Sequence, residues 1–371
     1  MASTPGTPTT DAAQSPLVIG VDIGGTQIRA AVLQGATLHS RANAITAGQT
    51  APDVMLPRVF ALIDQALQEA QVTLDQVASI GISTPGPVNN RTGIVYEPPN
   101  LPGWIQLPLR DIFLQRYSLP IRVENDANTA ALGEYLFGAG RGCQHMIYMT
   151  VSTGIGGGVI IDGKIVEGSI GTAGEIGHMS IDWHGPVCNC GNRGCLEYFA
   201  SGPAIARRAN EAIKAGQGAE LLAFASAMLD HPANVPDRSA LPVPQDLNTQ
   251  PLEQAGQPGE ALHVNARTVA RAAEAGIPLA RSIIAEVAEA LGVGLVNLLH
   301  LFNPDMIILG GGVALRLGDM LMEPALRIVQ ERAMAAPRQS VQITLAQLGD
   351  NAGLIGAGAL TQYYEQLHDH Q

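Results

Sequence analysis

Charge is scarce in this chain. Only 15% of its 371 residues are Asp, Glu, Lys or Arg, and aromatic residues make up 4%. Basic residues are the rarer kind: 21 Lys and Arg face 33 Asp and Glu, a net charge of -12 with His neutral. A surface of that sign repels phosphate backbones, so non-specific nucleic-acid binding is not expected. Cysteine is also sparse, at four. So few do not make a disulfide framework, which implies a reducing, cytoplasmic setting. No apolar run is clean enough to span a bilayer. The best, residues 291–302, is short and carries Asn297 and His300. No membrane partner is expected. The first 16 residues lack the basic start and apolar stretch of a signal peptide and read as a flexible tail.

Small and apolar residues fill the space that charge leaves. Hydrophobic residues are 46% of the chain and glycines number 42, enough for two domains of small-residue strands, tight turns and Ala-rich helices. From Leu17 the pattern reads strand, Gly-Gly turn, strand, with a third strand over Thr37–Ile45. Apolar residues at helical period predict a helix over Asp53–Ala70. Val77–Ser83 is a buried strand, and Asn89–Pro108 a long Pro/Gly/Asn-rich loop. A short strand, Ile121–Val123, leads into a helix over Asn128–Phe137. Met146–Val151 is a strand, and S-T-G-I-G-G-G turns the chain into another over Val159–Ile161. Asp162-Gly163 is a hairpin signal. A strand, a Gly-rich turn and a strand therefore occur twice, which suggests two related lobes. Ser201 is expected to cap a helix that starts G-P-A-I-A-R-R. Residues 215–259 are weakly patterned, with a helix at Glu220–Leu229 and then a Pro/Gln/Asn-rich surface insertion. Helices at Asn265–Ala275 and Ile277–Leu301, a strand ending in G-G-G, and a last helix over Gly353–Leu367 complete the pattern.

Five groups of residues carry chemistry. His178, Cys188, Cys190 and Cys195 supply one imidazole and three thiols, the donor set of a closed tetrahedral zinc site; a disulfide or unconnected cysteines is the alternative. Glycines at 185, 191 and 194 allow tight turns around an ion. Glu175 and Glu197 bracket the cluster, as suits a ligand rich in hydroxyls. In D-I-G-G-T, Gly24 and Gly25 open the backbone to phosphate oxygens, Thr26 adds a hydroxyl, and Asp22 is placed to hold Mg2+; an ordinary hairpin turn has the same residues. Thr153 and Gly154 open the second Gly-rich turn, which a strand follows, so neither the dinucleotide fingerprint nor a P-loop fits. Gly311 and Gly312 follow a strand and precede a helix, which suits a nucleotide or plain close packing. In E-N-D-A-N, Asn125 suits a sugar hydroxyl and Asp126 suits proton acceptance, though both residues also make helix caps. Asn100, in the long loop, is a further hydroxyl contact or a plain turn.

The set D-I-G-G-T, E-N-D-A-N, S-T-G-I-G-G-G, E-I-G-H, C-N-C-G-N-R-G-C-L-E and N-P-D-M-I-I-L-G-G-G resembles the ROK family (repressors, open reading frames, sugar kinases), from about Leu17 to Leu360. Within it the chain is most similar to the bacterial ATP-dependent glucokinases. The resemblance implies an α/β fold of the actin/hexokinase/Hsp70 type, with two ribonuclease-H-like lobes around a cleft. It puts residues 17–126 and 351–371 in a small lobe and 127–350 in a large one, with a zinc loop at 178–195. It makes Asp126 the catalytic base and sets Asn100, Asn125, Asp126, Glu175, His178 and Glu197 around a hexose. Asp22, Gly24, Gly25, Thr26, Thr153, Gly154, Gly311 and Gly312 fall around ATP and Mg2+. His178 is then shared between zinc and sugar. Homodimers or homotetramers are the family's usual assemblies. Glucose is the expected substrate, with N-acetylglucosamine, N-acetylmannosamine, fructose and allose as alternatives. A sugar-responsive repressor needs a winged helix-turn-helix, for which the 16 residues before Leu17 are too few.

Overall fold

A computed structural model describes residues 15–230 and 264–369. The chain divides into two compact units, each assembled from separate stretches: residues 1–148, 158–174 and 346–371 form unit 1, and 149–157 with 175–345 form unit 2.

Unit 1 is built on a six-stranded sheet. Its strands are β1 (Leu17–Ile23), β2 (Gln27–Gln34), β3 (Thr37–Leu38), β4 (Ala42–Ile45), β5 (Ile80–Thr84) and β9 (Ile121–Asn125), in the order β3-β2-β1-β5-β9 with β4 also on β2. The β1–β2 pair is an antiparallel hairpin, whereas β1–β5 and β5–β9 are parallel. The single strand expected over Thr37–Ile45 is two short ones, β3 and β4, both on β2. Helix α1 (Pro52–Ala70) buries Met55, Leu56, Val59, Leu62, Ile63 and Ala66; of the apolar residues expected at helical period, Leu56, Val59, Leu62 and Ile63 face the core, Leu67 is half-buried and Val54 is exposed. Helix α2 (Leu109–Arg116) lies between β5 and β9 in the chain, and α3 (Asp126–Phe137) follows β9 directly. The short α2 carries no clear apolar period, and its pattern predicts nothing there.

The segment expected to be a plain loop holds a small sheet. Strands β6 (Val88–Asn89), β7 (Ile94–Val95) and β8 (Leu107–Pro108) pair antiparallel within it. The reason is local. Asn89 Oδ1 accepts from the backbone N–H groups of Arg91 and Thr92, both at 3.1 Å, and Gly93 takes a φ of 71°. Trp104 is fully buried and donates from Nε1 to Thr50 O at 2.7 Å, which pins the remaining loop.

The second sheet runs β12-β11-β10-β13-β14, with β10 (Met146–Val151), β11 (Ile155–Ile161), β12 (Lys164–Ile165), β13 (Met306–Gly310) and β14 (Gln342–Leu345). Asp162 and Gly163 both have positive φ, 51° and 73°, as a two-residue hairpin turn requires. Strand β11 starts earlier than expected, so Gly156–Gly158 lie in the strand and not in the turn. Gly158 is needed there because a Cβ would strike the Ala131 methyl and the Ala127 carbonyl of α3.

The described helices of unit 2 are α4 (Leu196–Ala200), α5 (Gly202–Lys214), α6 (Ala219–Asp230), α7 (Ala266–Glu274), α8 (Pro278–Phe302), α9 (Gly311–Leu317), α10 (Asp319–Arg332) and α11 (Ala335–Ser340). Ser201 stands at the N-cap of α5, but its side chain makes no capping hydrogen bond; Pro203 sets the first turn in its place. Among the described residues, α8 alone is long and apolar enough to cross a membrane, and 61% of its most apolar window is buried within the protein. It is the core helix of unit 2, and α10 approaches so closely that a Cβ on Gly292 would meet Ile328 Cβ at 2.6 Å. The helix expected at Glu220–Leu229 is α6, while residues 231–259 of the expected insertion lie outside the described residues.

The last helix, α12 (Ala352–Asp369), closes unit 1. It rests on backbone: a Cβ on Gly20 or Gly81 would collide with the Leu354 or Ala357 carbonyl, and one on Gly356 with the Thr129 carbonyl of α3.

Candidate functional site

In unit 1 the β1–β2 hairpin carries the first predicted group. Asp22 sits opposite Arg29 in the register, and their side chains form an ion pair at 3.7 Å. The turn closes through Gly24 N to Gln27 O at 2.8 Å. Gly25 lies against Asn100, whose carbonyl oxygen would be 2.9 Å from any added Cβ, and Thr26 is exposed beside it. The fold thus brings the Gly-Gly turn and the exposed Asn100 together across 75 residues of chain.

The E-N-D-A-N segment is a strand-to-helix junction. Strand β9 ends at Asn125 and α3 begins at Asp126. Asn125 Oδ1 caps the helix, accepting from Ala127 N at 2.9 Å and Asn128 N at 3.3 Å. Its acceptor is therefore committed to the backbone, and its Nδ2 is the group left to meet a ligand. Gly86 is the residue that leaves room for it, since a Cβ there would stand 2.7 Å from Asn125 Nδ2. Asp126 is exposed, and its carboxylate accepts from Ala127 N at 2.8 Å. The N-terminal end of a helix favours negative charge at that position.

In unit 2, Thr153 and Gly154 form the turn between β10 and β11, closed by Ser152 N to Gly154 O at 2.9 Å. Glu197, at the start of α4, accepts from Ile155 N at 2.8 Å, so one carboxylate oxygen is fixed to this turn. Gly154 lies close by, where a Cβ would come within 2.6 Å of Glu197 Oε2. Glu175 is exposed over much of its surface, yet its carboxyl is crowded. Burial pushes its pKa up, the Glu197 charge adds to the rise, and His178 opposes it.

His178, Cys188, Cys190 and Cys195 converge, with one ligand atom from each all within 4.8 Å of one another. Cys190 Sγ and Cys195 Sγ are 3.6 Å apart, and Cys188 Sγ is 3.9 Å from His178 Nδ1. A tetrahedral ion with Zn–S bonds of about 2.3 Å places its sulfurs about 3.8 Å apart, so the donor set fits. All four cysteines of the chain are unbridged, and the three in the cluster converge with His178. The knot is a backbone structure as well. Cys188 N donates to Asn192 O at 2.7 Å and Gly191 N to Cys188 O at 2.9 Å. Gly191 and Gly194 take φ values of 89° and 66°, which only glycine adopts freely.

Gly311 opens α9 with a φ of 82°, and a Cβ on it would lie 2.5 Å from the Thr150 hydroxyl and 2.6 Å from the Val151 carbonyl. Close strand–helix approach by itself requires glycine at this position. A cavity of about 450 Å3 opens in the same unit, lined by Thr153, Arg207, Asn210, Lys214, Asn265 and Val313 among others. Its α5 residues were not singled out in the sequence, where they read as an ordinary polar helix face. Arg207 stacks over Tyr198 at 3.8 Å to the ring centroid and donates to Tyr198 O at 2.9 Å. Asn210 donates to Ala206 O and Val264 O, both at 2.7 Å, and accepts from Val264 N at 3.0 Å. The cavity wall is thus rigid, with a cationic group held in place beside the Gly-rich turn.

Comparison with known proteins follows the same lines. The sequence profile of the ROK family matches residues 18–363. A glucokinase of Halalkalibacterium halodurans is 33% identical over 349 residues, covering 94% of this chain and 95% of that one. A putative xylose repressor of a Caldicellulosiruptor species is 31% identical over 346 residues, covering 93% of this chain and 77% of its own. Among solved structures, a ROK-family glucokinase from Streptomyces griseus, in complex with glucose and AMPPNP, superposes with a TM-score of 0.74 at 33% identity, covering 93% of this chain and 98% of that one.

Proposed function

Since the chain belongs to the ROK family, has the actin/hexokinase-like α/β fold and is a hexose kinase of the glucokinase type, we propose that it transfers the γ-phosphoryl group of ATP to the 6-hydroxyl of glucose. Asp126 carries this reading. It stands exposed at the β9–α3 junction with its carboxylate aimed by the Ala127 N–H, as a base for a sugar hydroxyl must be. Phosphoryl transfer asks for positioning and charge neutralisation more than covalent chemistry. Asp126 takes the proton from the attacking hydroxyl, which forms its new bond to phosphorus as ADP leaves. The Asn125 amide, Asn100, Glu175, His178 and Glu197 orient the ring through its hydroxyls. Gly25 and Thr26, with Thr153 and Gly154, offer backbone N–H and hydroxyl donors to the phosphates, Gly24 keeps the turn free of a side chain while its own N–H closes on Gln27 O, and the cavity beside Thr153 receives the adenosine. Asp22 would hold Mg2+, whose charge neutralises the phosphates when bound. The Cys3His knot would hold a structural zinc, because four protein donors leave no open position for substrate.

A coupled ADP-release assay over a hexose panel tests this. Wild type should turn over glucose best, and Asp126→Ala should lose about 100-fold or more of kcat while binding the sugar. Turnover of no hexose sinks the kinase reading, and full activity of Asp126→Ala sinks the assigned base. Preference for N-acetylmannosamine or fructose would move the substrate and leave the mechanism. A sugar-dependent gel shift on DNA without turnover would favour the repressor reading that the xylose repressors raise.

A further inference from the structure

Glu124 is a buried charge that phosphoryl transfer, as proposed above, does not use. It is fully buried in unit 1, and four donors surround its carboxylate. Oε1 accepts from the Asn125 backbone N–H at 2.8 Å and from Asn128 Nδ2 at 3.0 Å. Oε2 accepts from Asn90 Nδ2 at 3.0 Å and from the Tyr364 hydroxyl at 2.7 Å. Asn90 Nδ2 also donates to the Tyr364 oxygen at 2.9 Å. A carboxylate offers about four acceptor positions, and here each meets a neutral donor.

Neutral donors make this an expensive way to fill space. A buried charge loses its hydration, and an apolar side chain of similar size would often pack there at lower cost. What the carboxylate does achieve is connection. It grips Asn125 by its backbone and Asn128 by its side chain, the residues on either side of Asp126. Through Asn90 and Tyr364 it joins that grip to the β6–β7 turn and to α12, groups 274 residues apart in the chain. The junction it holds has little slack: Asn125 Oδ1 is spent on the helix cap, and Gly86 closes against Asn125 Nδ2.

We propose that Glu124 is a positioning residue, whose carboxylate ties Asn125 and Asn128 to Asn90 and Tyr364 and so sets the angle at which the Asn125 amide and the Asp126 carboxylate meet the sugar. It touches neither substrate nor the reacting atoms. The proposal rests on the kinase reading for its kinetic consequences, but its geometric content stands apart from it. A tilt of the Asn125–Asp126 turn by a fraction of an ångström would misplace base and hydroxyl together, and misplacements of about 1 Å cost on the order of 100-fold in rate.

Two variants test it. Tyr364→Phe removes one donor at nearly constant volume, and Glu124→Gln keeps the shape while removing the charge. Per folded molecule, each should lose about 5- to 50-fold in kcat and raise the hexose KM, with the ATP KM within twofold of wild type. The double variant should fall no further than the weaker single, because partners in one network are not additive. Unchanged kcat and KM per folded molecule, with only a lower unfolding midpoint, would overturn the proposal. Equal damage to the ATP KM would overturn it too. If wild type phosphorylates no hexose, the kinase reading fails on its own, and hydrogen exchange at the Asn125 amide decides the rest. Faster exchange there in Tyr364→Phe, with core amides unchanged, supports the tie, and unchanged exchange at Asn125 overturns it.

Discussion

Glu124 shows how one side chain is pulled two ways. Burial pushes its pKa up from the ordinary carboxylate value of 4.5, while Asn128, Tyr364, the Asn125 N–H and Asn90 pull it down, and burial prevails. The acid form also has a structural cost. Three of the four partners only donate, so a proton on Oε2 requires the Tyr364 hydroxyl to turn and accept it. A carboxyl whose folded pKa is raised binds its proton more tightly in the native state. Its contribution to stability is therefore complete below the unfolded pKa and is lost as pH rises through the folded one. Unfolding by urea, compared between wild type and Glu124→Gln from about pH 4 to pH 8, should show the wild type's relative stability falling with rising pH. A difference that grows with pH would contradict the raised pKa.

At the level of elements, the Cys3His knot and the strand–turn–strand hairpins were legible in the sequence because their parts are neighbours. His178, Cys188, Cys190 and Cys195 span 18 residues, and the Asp162–Gly163 turn announces itself in two. The knot gives a direct prediction. Its loop carries His178 and precedes Glu197, so removing the zinc proposed for it should loosen the sugar contacts proposed for these residues before the nucleotide contacts. Cys190→Ala, or exhaustive chelation with loss of zinc verified by elemental analysis, should raise the glucose dissociation constant about tenfold or more and leave ATP binding within twofold, read by calorimetry. Unchanged sugar affinity in protein shown to be metal-free would refute it. Other elements were illegible for a physical reason. The small sheet inside the Asn89–Pro108 segment depends on an Asx turn at Asn89 and on Trp104 reaching Thr50, neither of which leaves a periodic trace. The α5 wall of the cavity looks like any solvated face until the Gly-rich turn is seen beside it. The Glu124 network is more hidden still, because its donors are scattered from Asn90 to Tyr364.

On the scale of the whole molecule, neither compact unit is a continuous piece of chain. The backbone passes from one unit to the other between residues 148 and 149, 157 and 158, 174 and 175, and 345 and 346. Unit 1 therefore depends on its last stretch. Helix α12 covers β1 and β5 at the glycines that admit its backbone, and Leu354 and Ile355 complete a buried cluster with Val18, Ala31 and Leu33. Deleting residues 346–371 should remove far more than a terminal helix. The truncated chain is expected to lose cooperative unfolding of unit 1, seen as a lost or split thermal transition by circular dichroism. A single transition at the wild-type midpoint would show that α12 is dispensable.

That placement of α12 also sets an order of events in the cell. A ribosome delivers the strands of the first sheet well before the helix that seals one face of it. Until then the glycine-lined surface of β1 and β5 stands uncovered, an invitation to chaperones and to misassembly. Synthesis of this protein should therefore leave the nascent chain vulnerable to proteases until α12 has emerged and packed.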